Sequence, residues 1–198
     1  MVRDRRTPLF WQGSAPLVLA SASPRRVQLL RQVGAEFTVA DPGPDRAWPP
    51  AADARHGVRA LALDKAKRIG AKRPEAVVVS ADTVVVVRGV RLGKPADAEE
   101  AKAMLRRLHG RTHEVWTGLA LVHGAEQRTA AELTRVRFSR MNDAEIAAYV
   151  ASGESLDKAG GYGIQGLAAG FIRGIEGDYF NVVGLPLDRL RRLLLEFS

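Results

Sequence analysis

Cysteine is absent from the 198-residue sequence. Its absence excludes a disulfide framework, a thiolate-bound metal site and covalent catalysis by a thiol. Long apolar runs are also missing, since none approaches the roughly 20 residues that cross a bilayer as a helix. Residues 1–15 carry arginines and lack the continuous apolar segment of a signal peptide. We therefore predict a cytoplasmic protein without membrane attachment, in which residues 1–15 form a loosely ordered N-terminal extension and residues 16–198 a single domain.

Aromatic residues and long basic blocks are scarce, although the chain is strongly basic. Aromatics make up 6% of the sequence, while the formal net charge is +8 and the isoelectric point about 10.4. That charge suits polyanionic partners such as nucleic acids, membrane surfaces and phosphorylated small molecules. The arginines are scattered, however, and no aromatics are interleaved with them as in a single-strand-binding groove. Net charge alone therefore does not indicate a nucleic-acid-binding protein, and a solvated arginine-rich surface is the simpler explanation.

The apolar and turn patterns predict alternating strands and helices. Strands are predicted at residues 16–20, 36–40, 76–80, 84–87, 112–122 and 128–138. Helices are predicted at residues 24–33, 53–72, 96–108, 142–151 and 185–197. This alternation, with long hairpins in the middle of the chain, indicates an α/β fold with a mixed sheet. A boundary between two lobes is expected near residues 94–96.

The first candidate site lies where the opening strand meets the first helix. Ser23 is a good N-cap and Pro24 suits the first helical position. Free amides and the helix dipole at such a turn favour anions, and Ser21, Arg25 and Arg26 would add further donors. A capped helix with two exposed arginines explains the same residues equally well. The turn is not a Walker loop, because the glycine-rich run and the Gly-Lys-Ser/Thr sequence are missing.

The second candidate is Asp82, which we place at the end of one apolar strand and before another. A carboxylate beside buried apolar surface costs free energy unless it meets a metal or another cation. Asp82 would then hold Mg²⁺ or orient a water for attack. An ordinary turn aspartate is the alternative, and strand-end aspartates are common.

Three lysines and a glycine-rich stretch complete the candidates. Lys65, Lys94 and Lys158 would neutralise phosphate oxygens, although each also fits a solvated surface position. In residues 152–166 the density of glycine lets a backbone approach a ligand closely. Gln165 in this stretch both donates and accepts hydrogen bonds, which suits contact with a base edge. Carboxylates of the same stretch would serve a cation, and they are Glu154 and Asp157.

Several longer motifs, taken together and in this order, indicate a known protein family. They are LVLASASPRRVQLL (17–30), LALDKA (61–66), VVVSADTVVV (77–86), LGKP (92–95), LHGRTHEVWTGLAL (108–121) and YVASGESLDKAGGYGIQGLAAGFIRGIEGDYFNVVGLPL (149–187). Together they span nearly the whole chain after residue 15, and with them the chain resembles the Maf family of nucleoside triphosphate pyrophosphatases. The resemblance implies a Maf/inosine triphosphatase-like α/β fold, namely an elongated two-lobed body on a long bent mixed sheet with flanking helices and a central cleft. Residues 16–198 would then be one Maf-like catalytic domain.

The same resemblance implies a reaction and a cofactor. A water activated with the help of a divalent metal (Mg²⁺, Mn²⁺ or Co²⁺) would hydrolyse the α–β bond of a nucleoside triphosphate, giving a monophosphate and pyrophosphate. The catalytic residues would be Asp82, Lys65 and Lys94. Asp82 would accept the proton and contact the metal, while the two lysines would join the two arginines of the first turn at the phosphates. Lys158 and the serines of that turn would also bind substrate. A homodimer would fit the family.

Three positions separate the subgroups of this family. The group that acts on dTTP and UTP typically has Arg, Thr and Gln there, and this chain has Arg25, Thr83 and Gln165. The sister group that acts on 7-methyl-GTP typically carries an aromatic residue, Gln and Glu. The resemblance therefore implies dTTP and UTP as the favoured substrates.

One departure from the family pattern concerns the metal. Family members often have Asp-Glu in the loop after the second strand, whereas this chain has Asp45-Arg46. Because arginine cannot ligate a cation, either Asp45 or a later carboxylate such as Glu154 replaces the glutamate, or metal affinity is lower. This departure and the charge of +8 keep one alternative open, a non-catalytic nucleotide- or nucleic-acid-binding regulator, for example of cell division. Activity on modified nucleotides is a third hypothesis.

Overall fold

A computed structural model describes residues 10–11 and 13–197. Most of the predicted N-terminal extension, residues 1–9 and 12, therefore lies outside the described residues, as does residue 198. Phe10 is 7% exposed and packs in a core cluster that includes Leu17 and Leu30. The packed body thus includes a residue that precedes the first strand.

One seven-stranded mixed sheet runs through the molecule. Its order is β2-β1-β3-β5-β6-β7, with β4 paired to β3. Strands β2, β1 and β3 are parallel to one another, and the other pairs are antiparallel. The strands are β1 (Leu17–Ala20), β2 (Thr38–Ala40), β3 (Val77–Val87), β4 (Val90–Leu92), β5 (Thr112–His123), β6 (Glu126–Phe138) and β7 (Ile172–Glu176). The predicted α/β class with a mixed sheet is confirmed.

The helices begin where the sequence offers caps. Side chains of Asp53, Asp97 and Asn142 each accept a backbone hydrogen bond at a helix start, and the last completes a capping box with Glu145. No helix of the described residues is long and apolar enough to span a membrane. The helices are α1 (Pro24–Gln32), α2 (Ala54–Gly70), α3 (Ala98–Leu108), α4 (Asp143–Ala151), α5 (Tyr179–Val183) and α6 (Leu187–Leu195), with 3₁₀ turns at Ala159–Gly161 and Leu167–Phe171.

Separate hydrophobic clusters define the two lobes. The first half of β3 and the second half of β5 pack with β1, α1, α2 and α6. The remaining halves of the same two strands pack with α3, α4 and β6. The lobes therefore meet along β3 and β5, where Asp82 is paired with Gly118 and Thr83 with Thr117. The junction does not follow the chain at residues 94–96 as the sequence suggested, because both long strands cross it.

The strand prediction around Asp82 was wrong in one respect. Residues 76–80 and 84–87 were expected to form two strands, but β3 is continuous and pairs with β5 from Val78 to Val86. Asp82 thus lies inside a strand and not at its end. Because β5 supplies an uninterrupted ladder, a single polar residue does not break the strand. Strand β7 and helix α5 were also missed, since both are short and neither has a clear apolar period.

Gly118 brings α2 close to the sheet opposite Asp82. A Cβ added at Gly118 would lie 2.3 Å from the backbone of Val58 in α2. Only glycine permits this approach. Helix α2 therefore crosses the sheet at the lobe junction, where its Lys65 reaches β3.

Candidate active site

A cleft of about 830 Å³ opens at the lobe junction. Its walls come from the β1–α1 turn, the loop after β2, the middle of β3, and the segment between α4 and β7. The cleft brings together the candidate site residues of the sequence, namely Ser21, Ser23, Arg25, Arg26, Asp45, Lys65, Asp82, Thr83, Lys94, Glu154, Asp157, Lys158 and Gln165. Trp48 and Tyr162 lie on the same walls.

The turn between β1 and α1 presents its first helical residues to the cleft. Pro24 occupies the first helical position and Ser23 the N-cap, but the Ser23 side chain makes no capping hydrogen bond. The Ser23 amide instead donates to Ser21 Oγ at 3.2 Å. The Ser23 hydroxyl is therefore free of a capping role at the N-terminus of a nine-residue helix, where the helix dipole favours an anion.

Arg26 of this turn points inward. Its Nε donates to Gly184 O at 2.8 Å, and its Nη atoms donate to Ser21 Oγ at 3.3 Å and Thr83 Oγ1 at 3.1 Å. Burial lowers the pKa of Arg26, and the nearby Asp82 carboxylate opposes that shift. For this residue, the alternative of an exposed surface arginine is therefore wrong.

Arg25 connects the two lobes through Asp157. Arg25 Nη1 donates to Asp157 Oδ2 at 2.6 Å, and Lys158 Nζ donates to Asp157 Oδ1 at 2.5 Å. Burial alone would raise the pKa of Asp157, but the hydrogen bonds and charges of Lys158 and Arg25 outweigh it and lower that pKa. One ionised carboxylate thus holds two cationic side chains at the cleft.

Lys65 is the centre of the most buried charged group in the cleft. Its Nζ lies 2.6 Å from Asp82 Oδ1 and 2.6 Å from Asp45 Oδ1. The Lys65 and Asp82 side chains are only 8% and 12% exposed. Burial raises the pKa of Asp82, although Lys65 and Arg26 oppose the shift.

Asp45 shares Lys65 with Asp82 but shows the opposite shift. Burial alone would raise the pKa of Asp45, yet the hydrogen bond and charge of Lys65, followed by Lys94 and Arg26, lower it. The pKa values of the two carboxylates are therefore shifted in opposite directions. Asp82 is the stronger proton acceptor, and Asp45 stays ionised over a wider pH range.

The donor set of the cleft fits a metal that binds together with substrate. One carboxylate oxygen of Asp82 and one of Asp45 each contact the Lys65 ammonium, so the two carboxylates lie close together. Among the described residues, no group of three or more His, Cys, Asp or Glu side chains is arranged to hold a metal ion. Mg²⁺ is commonly bound through one or two carboxylates plus phosphate oxygens of the substrate. The two aspartates meet that requirement, and the phosphates would supply the remaining ligands.

Arg46 does not enter this carboxylate group. Its Nε lies 3.1 Å from Asp64 Oδ1 on α2, and its side chain is 70% exposed. Asp64 also pairs with Arg68 Nη2 at 3.0 Å. Arg46 therefore leaves Asp45 in contact with Lys65 and extends an ion-pair group on the outside of α2.

A buried polar chain that the sequence analysis missed supports Thr83. Thr83 Oγ1 lies 2.9 Å from Thr117 Oγ1, which in turn donates to Asn181 O at 3.0 Å. Thr117 and Asn181 are fully buried. A hydroxyl within the apolar run of β5 was the signal that could have revealed Thr117, because buried hydroxyls require partners.

Like the Ser23 hydroxyl, the side chains of Lys94 and Gln165 line the cleft with unused donors. Neither side chain makes a hydrogen bond or ion pair within residues 10–11 and 13–197. Glu154 differs, because both of its carboxylate oxygens accept hydrogen bonds from its own lobe. Lys94 and Gln165 are therefore available to a ligand.

Comparison with known proteins adds to this geometry. A family model described as Maf-like protein matches residues 16–197. A protein called dTTP/UTP pyrophosphatase from Symbiobacterium thermophilum is 53% identical over 182 residues, which cover 92% of this chain and 94% of that protein. One of the same name from Salinibacter ruber is 51% identical over 186 residues, covering 92% and 91%. A solved nucleoside-triphosphatase/dITP/XTP pyrophosphatase from Mycobacterium abscessus shows 17% identity and a TM-score of 0.41, covering 64% of this chain and 75% of that one. The family match includes the whole cleft.

Proposed function

Because the chain belongs to the Maf-like protein family, we propose that it hydrolyses nucleoside triphosphates to the monophosphate and pyrophosphate, with dTTP and UTP favoured. The relatives named dTTP/UTP pyrophosphatase, similar over nine tenths of the chain, support this assignment. The observation that carries it is the buried Lys65–Asp82 pair in the cleft. The β1–α1 turn, whose helix N-terminus favours an anion, lines the same cleft. The role would be nucleotide-pool housekeeping in the cytoplasm.

The triphosphate is proposed to bind along the cationic wall of the cleft. Helix α1 offers its N-terminal amides, and arginine meets phosphate oxygens through two parallel hydrogen bonds. Arg25 and Lys158 are already held in place by Asp157, which reduces the entropy lost on binding. Lys94, which has no hydrogen-bond partner among the described residues, would contact the phosphates directly.

Asp82 is proposed as the proton acceptor for the attacking water. As the water oxygen bonds to phosphorus, the α–β phosphoanhydride breaks, pyrophosphate leaves with the bonding electron pair, and the water proton passes to Asp82. The raised pKa suits a group that must gain a proton during the step. Lys65 holds the carboxylate in position through its 2.6 Å contact.

A divalent metal bound with the substrate would supply charge neutralisation at the phosphates and would make the water easier to deprotonate. Asp82 and Asp45 are the residues proposed to hold it. Their carboxylates now share the Lys65 ammonium. The Lys65 ammonium would then share these two carboxylates with the metal.

Base preference is proposed to depend on Gln165, Thr83 and Arg25, which line the same cleft. Gln165 presents both a donor and an acceptor, as a pyrimidine edge requires. Thr83 is fixed by Arg26 and by the buried hydroxyl behind it. A pocket whose polar groups are left unpaired by the wrong base discriminates strongly against that base.

Pyrophosphate release from a panel of canonical and modified triphosphates tests the proposal. The panel is assayed with Mg²⁺, Mn²⁺ and Co²⁺ and after metal removal with a chelator. We expect release that requires metal and is fastest for dTTP and UTP. Tight, strongly salt-dependent binding to DNA with no hydrolysis of any nucleotide would contradict the proposal and would support a binding regulator. Preference for a modified nucleotide would redefine the substrate.

A further inference from the structure

Glu154 lies beneath a glycine loop formed by residues 163–167. Its Oε1 accepts a hydrogen bond from Tyr149 Oη at 3.0 Å, and its Oε2 accepts one from the Leu167 amide at 2.8 Å. The Gly163 amide donates to the same Tyr149 oxygen at 3.1 Å. Both ends of the loop are therefore tied to one carboxylate, directly at Leu167 and through a phenol at Gly163.

The loop lies close to this carboxylate at two of its glycines. A Cβ added at Gly166 would lie 2.2 Å from Glu154 Oε2. One added at Gly163 would lie 2.7 Å from Lys158 Cε and 3.1 Å from Glu154 Oε1. A larger residue at either position would therefore displace the Glu154 or Lys158 side chain.

Gln165 is carried between the two tied ends. Its side chain lines the cleft and makes no hydrogen bond within the described part of the chain. The loop that carries it is otherwise rich in glycine, which leaves the backbone free to adopt many conformations. Two hydrogen bonds limit that freedom, one from the Leu167 amide to Glu154 and one from the Gly163 amide to the Tyr149 oxygen that Glu154 holds.

We propose that Glu154 is a positioning residue that, with Tyr149, fixes the loop carrying Gln165 and so sets base selectivity. This inference rests on the proposed function, in which Gln165 contacts the base. It replaces the expectation that Glu154 binds metal. The two carboxylates proposed to hold the metal, Asp45 and Asp82, both contact Lys65. Both carboxylate oxygens of Glu154 instead accept hydrogen bonds from its own lobe.

The protonation state of Tyr149 agrees with this role. Burial raises the pKa of Tyr149; the hydrogen bond from the Gly163 amide opposes that shift, and the hydrogen bond to Glu154 adds to it. The phenol therefore stays protonated at neutral pH and can donate to the carboxylate while its oxygen accepts from Gly163. A hydrogen bond to a charged acceptor is about twice as strong as a neutral one.

The test compares Glu154→Gln and Tyr149→Phe with a matched surface control. Glu126→Gln serves as control, because Glu126 forms an exposed pair with Arg128 at the β5–β6 turn, away from the loop. Glutamine keeps one oxygen, so either Tyr149 or the Leu167 amide loses its acceptor. Measurements are kcat and KM for UTP, dTTP, CTP and GTP, the metal concentration giving half-maximal activity, and hydrogen exchange at the Gly163 and Leu167 amides.

We expect both variants to lose about tenfold in the kcat/KM ratio of favoured to disfavoured bases, corresponding to one hydrogen bond to a charged group. The half-maximal metal concentration stays unchanged, and the two loop amides exchange faster. The double variant loses no more selectivity than the more severe single variant, because the two residues act on the same loop. The control matches the unsubstituted protein throughout.

Three results would overturn the inference. Unchanged selectivity in a folded Tyr149→Phe protein would do so, and that variant also decides the question if Glu154→Gln fails to fold. A several-fold rise in the half-maximal metal concentration in Glu154→Gln alone would assign Glu154 to the metal. If the unsubstituted protein hydrolyses no nucleotide, the proposed function fails. The positioning role is then tested by hydrogen exchange alone, and unchanged exchange at the Gly163 and Leu167 amides in both variants would refute it.

Discussion

Replacement of Asp82 by asparagine should separate activity from folding. The substitution keeps the size of the side chain but removes the negative charge and the proton-accepting oxygen. Loss of a positioned proton acceptor costs about 10²–10⁴ in rate. We therefore expect kcat to fall by about that factor, while KM for the triphosphate changes much less because the cationic wall of the cleft is intact.

Stability should change little in the same variant. Burial of a carboxylate costs several kcal/mol, and the Lys65 contact offsets that cost. The neutral amide of the Asp82→Asn variant would remove both contributions together. Lys65 keeps its 2.6 Å contact with Asp45 and is not left unpaired. We expect the free energy of unfolding at pH 7 to stay within about 1 kcal/mol of the original value.

The pH dependence gives an independent check with a defined sign. The pKa of Asp82 is raised on folding, so folding favours its protonated form and the associated stabilisation is lost as pH rises through the folded pKa. Activity needs the ionised form, so kcat/KM should rise with pH through the same raised pKa. Asp82→Asn should remove that acidic limb of the activity profile. The assays are pyrophosphate release from about pH 4 to 9, a range that brackets carboxyl titration, and urea unfolding. A folded variant with full activity and an unchanged pH profile would refute the mechanism.

Three further substitutions test the surroundings of the cleft. Arg26→Lys cannot reproduce three hydrogen bonds from one guanidinium, so kcat/KM should fall at least about tenfold and stability by about 1–3 kcal/mol. Asp157→Asn frees Arg25 from its half-exposed partner, so KM for triphosphate should rise several-fold while stability falls by no more than about 1 kcal/mol. Gly118→Ala places a methyl group 2.3 Å from the backbone of Val58 and should lower stability by about 3 kcal/mol.

Steady-state kinetics and urea unfolding measure all three. Asp143→Asn is a suitable control for Asp157→Asn, because Asp143 forms an exposed pair with Arg106 away from the cleft. A lower KM in Asp157→Asn would mean that this carboxylate competes with the triphosphate and does not hold the cations in place for it. Unchanged stability of Gly118→Ala would show that α2 can move away from β5, and unchanged kinetics of Arg26→Lys would remove Arg26 from the binding wall.

Much of the local structure could be predicted because its causes are short-range. Pro24 after Ser23 indicated the start of α1, and the α4 cap at Asn142 was confirmed together with its capping box. Periodicity placed the long strands β5 and β6 within a few residues. The expected mixed α/β sheet followed from the same alternation and was confirmed.

The motifs also identified which side chains carry chemistry. The sequence alone singled out Asp82, Lys65 and Gln165 with the residues of the first turn, and the fold gathers them around one cleft. Their individual roles stay predictions. Residue type and motif order were sufficient here, because phosphate and metal chemistry restricts the side chains that can serve it.

Only the tertiary structure decided which partner each charged group meets. The two neighbouring arginines differ completely, since Arg26 turns into the protein and Arg25 reaches Asp157, 132 residues away. Asp82 remains inside β3 because β5 pairs along it and Lys65 crosses from α2. Glu154, expected near the metal, is enclosed by a loop. Caps and turns depend on adjacent residues, whereas ion pairs and strand ladders depend on segments that only the folded chain brings together.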